Sequence, residues 1–269
     1  MTTQTAPGWA LLDNSLSDPA LLAATSGAAD YRILPDATVL KVGGQSLLDR
    51  GRAAIYPLVD ELVALKGSHQ LMIGTGGGTR ARHAYTMGAA MGLPTGVLSD
   101  LGAAVAGQNA RMLGYLMARH GVPTVGHEGF GVLPLYIAES HAVVFPGMPP
   151  YGMWHPNPEA GLIPPYRTDA GVWLVGEVYG ARNVVYVKDE DGLYSANPKT
   201  DPSAKLIPRI TVDELIELDL PDLVVERPLL HMLRHARHVR SVQIVNGLRP
   251  ELVTRAVNGE HVGTIISAD

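Results

Sequence analysis

The sequence predicts an α/β fold, an open αβα sandwich with a mainly parallel central sheet. Short apolar runs alternate with longer segments of helical apolar spacing from residue 38 onward, which is typical of strands covered by helices on both faces. Two early runs end in glycine clusters, at 43–44 and 76–78. Hydrophobic residues make up 46% of the 269 residues and charged residues 17%, so the chain can bury a large core and is not disordered.

The order of the predicted elements supports this fold. Apolar runs of strand length occur at 38–42, 70–73, 122–125, 142–145, 183–187, 241–245 and 262–266. Helical spacing covers 55–65, 79–91, 100–119, 168–179, 211–218 and 228–239. We therefore expect one domain over 31–269. Residues 1–30, with leucines at helical spacing, are expected to form an N-terminal arm, with a frayed tail as the alternative.

Charge and composition exclude several classes of protein. The 21 basic and 26 acidic residues give a formal net charge of −5, which is no broad nucleic-acid-binding footprint. Cysteine is absent, so disulfide scaffolds, thiolate zinc sites and cysteine nucleophiles are excluded. No apolar stretch reaches the roughly 18 residues of a membrane-spanning helix, and the first basic residue is Arg32. We expect a soluble, cytoplasmic chain without a removable leader.

The segment 146–166 breaks the alternation of strands and helices. It contains seven prolines, so it cannot form a helix or a central strand. Long loops inside compact domains are usually either functional or disordered. The tyrosines and the tryptophan of this segment argue against plain disorder. We expect an ordered, functional loop.

The glycine clusters follow two successive strands. Lys41 and the pair 43–44 end the first strand, and the cluster 76–78 follows the second, with Arg80 and Arg82 after it. Backbone N–H groups of such loops can approach an anion closely, and the next helix points its positive end at it. Either loop alone also fits a packing role for glycine. Two in succession beside a lysine favour a phosphate-binding cradle.

Two familiar nucleotide-binding motifs fit this chain poorly. No Gly-x-x-x-x-Gly-Lys-Ser/Thr sequence is present, so the loop is not a P-loop. The spacing Gly76-x-Gly78-x-x-Ala81 satisfies the loose dinucleotide fingerprint, but it follows the second strand instead of opening the sheet. A Rossmann oxidoreductase is therefore disfavoured.

Polar residues also follow the strand at 183–187. Lys188, an Asp-Gly turn, Tyr194 and the Asn-Pro pair 197–198 occur in close succession. A two-stranded ribbon here could carry an adenine, with Lys188 turned towards the phosphates. A hairpin without a ligand is the alternative.

Asp169 opens the predicted helix at 168–179. Three roles fit a carboxylate at this position. It could cap the helix, orient Lys41 and Lys188 around a polyphosphate, or hold Mg²⁺.

These motifs together resemble the amino acid kinase superfamily, and within it the bacterial uridylate kinase branch. The resemblance runs from about residue 36 to 269 and rests on the motifs 41–44, 76–78, 168–170 and 191–199 and on the closing segments 245–247 and 259–264. It implies Mg²⁺–ATP binding and ring-shaped assembly, commonly as a hexamer. It also implies catalytic roles for Lys41, Asp169 and Lys188. The ATP-binding residues that it implies are Lys41, Gly43, Gly44, Gly76, Gly77, Asp169, Lys188, Asp191, Gly192, Tyr194, Asn197, Pro198 and Lys199.

The other half of the expected site departs from the uridylate kinase pattern. The proline-rich segment, with Trp154, His155 and Glu159, stands where that branch has a glycine-rich acceptor segment. Residues 79–83 replace the Arg-Gly expected soon after the triple glycine. A retained ATP half beside a rewritten acceptor half indicates another cargo.

Within the superfamily, the chain is similar to the molybdenum-storing branch and to its beta-type subunits. The similar segments are 79–83, 106–109, 149–151 with His155, and 258–264. This resemblance implies a cytoplasmic heterohexameric cage with a homologous alpha subunit as partner. Such a cage takes up molybdate or tungstate with ATP and holds it as polyoxomolybdate or polyoxotungstate clusters. ATP hydrolysis by this subunit is left open. A UMP-like nucleoside monophosphate kinase and a regulatory ATP-binding module are the alternatives.

Histidine and carboxylate side chains are the candidate contacts to such clusters. An oxomolybdate cluster is an anionic oxide surface, so N–H donors, imidazolium groups and a few direct ligands suit it better than thiolates do. We select His127, Glu128 and His155 as candidate metal-binding residues, with Tyr136 and Gln108 as weaker candidates.

A second group of histidines falls in the helix predicted at 228–239. His231, His235 and His238 have the spacing i, i+4 and i+7 of one helix face, which would permit a metal site. Arginines alternate with them and would repel a cation. A basic helix face is therefore preferred.

Overall fold

The structure is a computed structural model that describes residues 17–25 and 30–269. The chain divides into two compact units, one ending at Tyr31 and the other spanning Arg32–Asp269. In the first unit, helix α1 spans Pro19–Ala24. Three of the leucines predicted for the arm, at positions 11, 12 and 16, lie outside the described residues. The arm and the domain boundary at residue 30 stay predictions.

The second unit contains a seven-stranded sheet in the order β3-β2-β1-β4-β8-β9-β7. Neighbouring strands are parallel, except that β8 and β9 are antiparallel. A separate antiparallel ribbon pairs β5 with β6. The strands are β1 (Ala37–Val42), β2 (Gln70–Thr75), β3 (Ala142–Pro146), β4 (Asn183–Lys188), β5 (Leu193–Tyr194), β6 (Leu206–Ile207), β7 (Arg209–Thr211), β8 (Ser241–Asn246) and β9 (Thr264–Ser267).

Helices cover both faces of this sheet, and alternate residues of each central strand point to opposite faces. Val39 of β1 packs with α6, whereas Leu40 packs with α2 and α4 in a second apolar cluster. The predicted αβα sandwich is thereby confirmed. The helices are α2 (Arg52–Leu65), α3 (Gly78–Ala90), α4 (Thr95–Ala118), α5 (Leu133–Ser140), α6 (Thr168–Tyr179), α7 (Val212–Leu218), α8 (Arg227–Arg234) and α9 (Leu252–Val257).

Two predicted elements are wrong in extent. The run at 122–125 forms a single parallel bridge, Thr124 to Val144, because Pro123 has no N–H to donate and the chain turns into a 3₁₀ helix at His127. The helix predicted at 228–239 ends at Arg234, and Glu177 accepts the backbone N–H groups of residues 237–239 instead. His238 therefore lies beyond the helix, and the three histidines do not share one helix face.

The chain order of the strands places a crevice between β1 and β4. From β1 the chain builds β2 and β3 on one side, and α6 then carries it across to β4 on the other side. Ligands of open α/β sheets bind at the carboxyl ends of the strands where the order reverses in this way. Lys41 and Lys188 stand at the carboxyl ends of β1 and β4. In the described part of the chain, no helix could cross a membrane.

Candidate functional site

The crevice brings Lys41, Asp169 and Lys188 into direct contact. Lys41 Nζ lies 2.8 Å from Asp169 Oδ1, and Lys188 Nζ lies 3.1 Å from both oxygens of the same carboxylate. Only 6% of the Lys41 and Asp169 side chains and 12% of the Lys188 side chain is exposed. Asp169 lies in the first turn of α6, so three separate elements build this group.

The charges of this group strongly affect one another. Burial alone would raise the pKa of Asp169, but Lys188 and Lys41 outweigh it and hold that pKa well below its usual range. Burial lowers the pKa of Lys188 to about 8, although the Asp169 carboxylate opposes this shift. Two ammonium groups share the oxygens of Asp169, and this geometry fits the predicted role of orienting the lysines. The same two contacts disfavour the predicted alternative of a Mg²⁺ ligand.

The two glycine loops meet backbone to backbone beside the lysines. A Cβ on Gly76 would lie 2.7 Å from the Gly44 nitrogen and 3.3 Å from Lys41 Nζ. Only residues without side chains allow this approach. A helix was predicted to follow the first glycine pair, 43–44. A 3₁₀ turn at Leu48–Arg50 comes first, and α2 begins only at Arg52. The positive end of that helix therefore does not follow directly after this loop.

Asp49 occupies the amino end of the helix that follows the second loop. Its Oδ2 accepts the backbone N–H of Thr79, in the first turn of α3, at 2.6 Å. A carboxylate here satisfies an amide that the helix itself leaves unpaired, and it places a negative charge where an incoming anion would bind. Sequence reasoning missed Asp49, because nothing in its local sequence shows that it folds back onto this turn.

Asn109 supports the same loop from α4. It is fully buried, and its Nδ2 donates to the Gly76 carbonyl at 2.5 Å. Arg80 donates to Asn109 Oδ1 and, at 3.3 Å, to Gln108 Oε1. Gln108, a weaker candidate for cluster binding, is thus placed beside an arginine of α3.

A cavity of about 810 Å³ opens around these residues. Of the predicted ATP-binding residues, it is lined by Lys41, Gly44, Gly76, Gly77, Asp169, Lys188, Asn197 and Lys199. The other five stand outside this lining: Gly43, Asp191, Gly192, Tyr194 and Pro198.

Ion pairs link the segments at one side of the cavity. Arg50 contacts Asp189 at 2.5 Å, and Lys199 contacts Asp189 at 3.3 Å and Glu190 at 2.7 Å. Asp191, by contrast, accepts from Asn246 at 2.8 Å and pairs with Arg249 at 2.7 Å, and it is not part of the cavity lining.

The same cavity has further lining residues: Arg82, Tyr85, Met148, Arg167 and Thr168. Arg167 pairs with Glu226, which also lines the cavity, at 3.8 Å. Burial raises the pKa of the Tyr85 phenol to about 12, so this hydroxyl stays protonated at neutral pH. Sequence reasoning singled out Arg82 but missed Tyr85 and Arg167, since only the fold carries them to this cavity.

The three candidate metal-binding residues are not gathered into one ligand set. His155 is buried, its Nδ1 bonds Ser99 at 3.1 Å and its Nε2 accepts the Tyr166 N–H at 3.3 Å. His127 Nε2 donates to the Met148 carbonyl at 2.8 Å, and Glu128 beside it is exposed. Among the described residues, no three histidine, aspartate or glutamate side chains lie close enough to share a metal ion.

The parallel sheet, with the lysine pair on Asp169 and the glycine loops at its carboxyl edge, defines the class of α/β protein to which this chain belongs. The amino acid kinase family matches residues 36–246, and the chain belongs to this family.

Particular relatives agree with this assignment. The molybdenum storage protein subunit beta of Azotobacter vinelandii is 59% identical over 258 residues, which cover 96% of each chain. The uridylate kinase of Hyperthermus butylicus is 30% identical over 74% of this chain and 83% of its own.

Solved structures show the same fold. The uridylate kinase of Archaeoglobus fulgidus has a TM-score of 0.64 at 24% identity, over 86% of this chain and 99% of its own. The UMP kinase of Bacillus anthracis has a TM-score of 0.67 at 19% identity, over 88% of this chain and 97% of its own.

Proposed function

We propose that this chain is a molybdenum storage subunit that binds ATP in the crevice and encloses oxomolybdate or oxotungstate clusters in an oligomeric cage. The observation that carries the proposal is the contrast between two parts of one cavity, the lysine group and the amino end of α3. The lysine pair on Asp169 is complete, whereas Asp49 fills the amino end of α3 in the neighbouring loop. The 59% identity with a molybdenum storage protein subunit supports the same function.

In this proposal the triphosphate lies along the lysine side of the cavity. Lys41 and Lys188 neutralise its charge. The N–H groups of Gly43, Gly76 and Thr79 already donate to Val187, Val42 and Asp49, so the lysines are the main phosphate contacts. Asn197 and Lys199 line the cavity towards the ribbon and would border the nucleoside. Among the proposed ATP-binding residues outside the lining, Tyr194 and Pro198 would border the adenine with Asn197. Gly43, Asp191 and Gly192 would shape the segments around the nucleotide.

Magnesium would reach this site with the phosphates and not through a protein cage. Asp169 is shared by two lysines, and Asp189 is shared by Arg50 and Lys199. Mg²⁺ commonly binds through one or two carboxylates together with substrate phosphates and water. Neither of these two carboxylates is available for that role, so the residues around the lysine pair do not form a site for the ion by themselves.

The cargo is an anionic oxide, and the proposed contacts are not among the residues that line the cavity. Exposed Glu128 and the adjacent His127 are the first candidates. His155 would have to exchange its bonds to Ser99 and Tyr166 before it could bind metal. We place the assembly in the cytoplasm, where ATP is available, with a homologous alpha subunit as partner in a heterohexamer.

An active nucleoside monophosphate kinase is the second candidate, because the lysine pair could stabilise a transferring phosphoryl group. Asp49 argues against it, since its charge repels an acceptor phosphate at the amino end of α3. ATP hydrolysis during molybdate uptake is compatible with the storage function.

The test is metal analysis of the native assembly. The chain is co-expressed with a homologous alpha subunit in cells grown with molybdate, and the molybdenum content of the purified complex is measured by mass spectrometry. We expect many molybdenum atoms per complex, and far fewer when Lys41→Met is introduced. A metal-free wild-type complex with rapid phosphoryl transfer to UMP would establish the kinase instead.

A further inference from the structure

Glu226 is a buried carboxylate at the amino end of α6, outside the lysine group itself. Its oxygens accept the backbone N–H groups of Arg167 at 2.8 Å, Asp169 at 3.0 Å and Ala170 at 3.3 Å. Only 7% of the side chain is exposed. The first N–H groups of a helix have no partner within it, so one carboxylate here satisfies three backbone donors at once.

We propose that Glu226 is a positioning residue of the nucleotide site: it fixes the first turn of α6, and through Asp169 it sets where Lys41 and Lys188 stand. The inference deepens the proposed ATP binding and rests on it for its functional meaning. Among the described residues outside α6, the other hydrogen bond to the Asp169 backbone comes from the Tyr186 hydroxyl, which donates to its carbonyl at 2.7 Å. Glu226 and Tyr186 thus hold the two sides of the same peptide segment.

A carboxylate suits this position better than an amide. Its two oxygens are acceptors only, so each can take one or more N–H bonds. The amide of glutamine would turn an NH₂ group towards backbone donors and would lose at least one of the three bonds. The Asp169 side chain must reach both lysines within about 3 Å, so a small shift of this turn would weaken one contact or both.

Glu226 also acts on the lysines by charge. The groups that bear on Lys188 are Asp169, Lys41, Glu226 and the ring of Tyr186, whose centroid lies 5.8 Å from Lys188 Nζ. The negative charge of Glu226 favours the protonated lysine, in opposition to burial. Burial and the charge of Asp169 raise the pKa of Glu226, although the charge of Arg167 opposes this shift. Neutralising Glu226 should therefore shift the titration of Lys188 to lower pH.

The same helix supplies a matched control at its other end. Glu177 accepts the backbone N–H groups of Arg237 at 2.6 Å, His238 at 3.2 Å and Val239 at 2.8 Å. It makes the same kind of carboxylate-to-backbone clamp as Glu226. It is not among the groups that affect the pKa of Lys188.

The experiment compares E226Q and E177Q in the full-length protein in its native assembly, without nucleotide. Brief labelling with acetic anhydride over pH 6.5–10, followed by peptide mass spectrometry, gives the titration midpoint of Lys188. We expect E226Q to lower this midpoint by about half a pH unit and E177Q to leave it unchanged. An unchanged midpoint in E226Q, or an equal shift in both variants, would overturn the inference.

A second variant separates the position of the Glu226 carboxylate from its charge. It is used in place of E226Q if E226Q does not fold. Glu226→Asp keeps the charge but shortens the reach, so we expect the Lys188 midpoint to stay near the wild-type value while the dissociation constant for ATP rises about fivefold or more. Unchanged ATP affinity in this variant would contradict a positioning role. ATP binding by the wild-type protein is measured separately, and its absence would overturn the proposed function, whereas the nucleotide-free labelling tests Glu226 alone.

Discussion

Gly44 packs so closely against Gly78 that a Cβ on Gly44 would lie 2.6 Å from the Cα of Gly78. Real Cβ atoms do not approach another backbone to this distance. The two glycine loops thus form one continuous backbone surface beside Lys41, and the need for glycine at position 44 is steric.

Gly44→Ala should separate the two loops. We expect a loss of about 2 kcal/mol or more in the free energy of unfolding, as for other overpacked sites, together with a loss of ATP affinity. Urea unfolding and calorimetric titration would measure both. Gly107→Ala is the control, because a Cβ there would meet nothing within 4 Å and alanine favours the helix. Equal stability of the two variants would contradict the steric explanation.

Asp169→Asn removes the only carboxylate that contacts both lysines in the described structure. Two buried ammonium groups would then lack a carboxylate in direct contact, so we expect the free energy of unfolding to fall by about 3–5 kcal/mol. Chemical denaturation at neutral pH measures this. Glu260→Gln breaks the exposed pair with Arg255 and should cost less than about 1 kcal/mol. A small effect at Asp169 would mean that the lysines are solvated.

The affinity for triphosphate should fall in mildly alkaline solution. Lys188 has a pKa of about 8 in the folded protein, against an ordinary value of 10.5. A bound polyphosphate favours the protonated lysine, so we expect affinity to decrease by up to about tenfold per pH unit above this pKa. Titration with ATP and with inorganic triphosphate from pH 7 to 9.5 measures it. Lys188→Arg should abolish this pH dependence, because arginine stays charged. If the pH dependence persists, another group causes it.

The same depressed pKa also affects folding. Between pH 8 and 10.5 the unfolded chain binds more protons at Lys188 than the folded chain does. Without ligand, the free energy of unfolding should therefore rise with pH across this window, while the affinity for triphosphate falls. Unfolding curves of wild type and Lys188→Met would show this opposition.

Mild acid should destabilise the protein through His155. Burial and the nearby Arg167 lower the pKa of this histidine below its usual 6.5. The unfolded chain then binds the proton first, so stability present above pH 6.5 is lost as pH falls towards the folded pKa. We expect His155→Gln to reduce this pH dependence of the thermal midpoint. An unaltered pH profile in His155→Gln would exclude this histidine as the cause.

The central sheet and the grouping of Lys41, Asp169 and Lys188 could both be predicted from the sequence, and for the same reason. Lys41 and Lys188 directly follow apolar strand patterns, and parallel strands bring their carboxyl ends to one edge. Asp49, Asn109 and Glu226 were not predicted, because each contacts the backbone of a segment far away in the sequence. Local patterns carry no signal for such contacts.

Element boundaries show a similar limit. The helix α5 was not predicted, since it is short and begins beside Pro134. The helix α8 was predicted too long, because its apolar spacing continues at Val239 although the backbone has already left the helix at His235. In both cases, contacts with other parts of the fold determine where the helix begins or ends.

Binding of a polyphosphate by both lysines would require the complete fold. Lys41 and Lys188 come from strands on either side of the α6 crossover, and they meet only after β4 has paired with β1. A chain arrested with β1, β2 and β3 alone would carry half of the positive charge and would hold polyphosphate poorly. A ligand that requires both lysines stabilises only the finished protein, so under the proposed function nucleotide would selectively protect the completely folded chain from proteolysis.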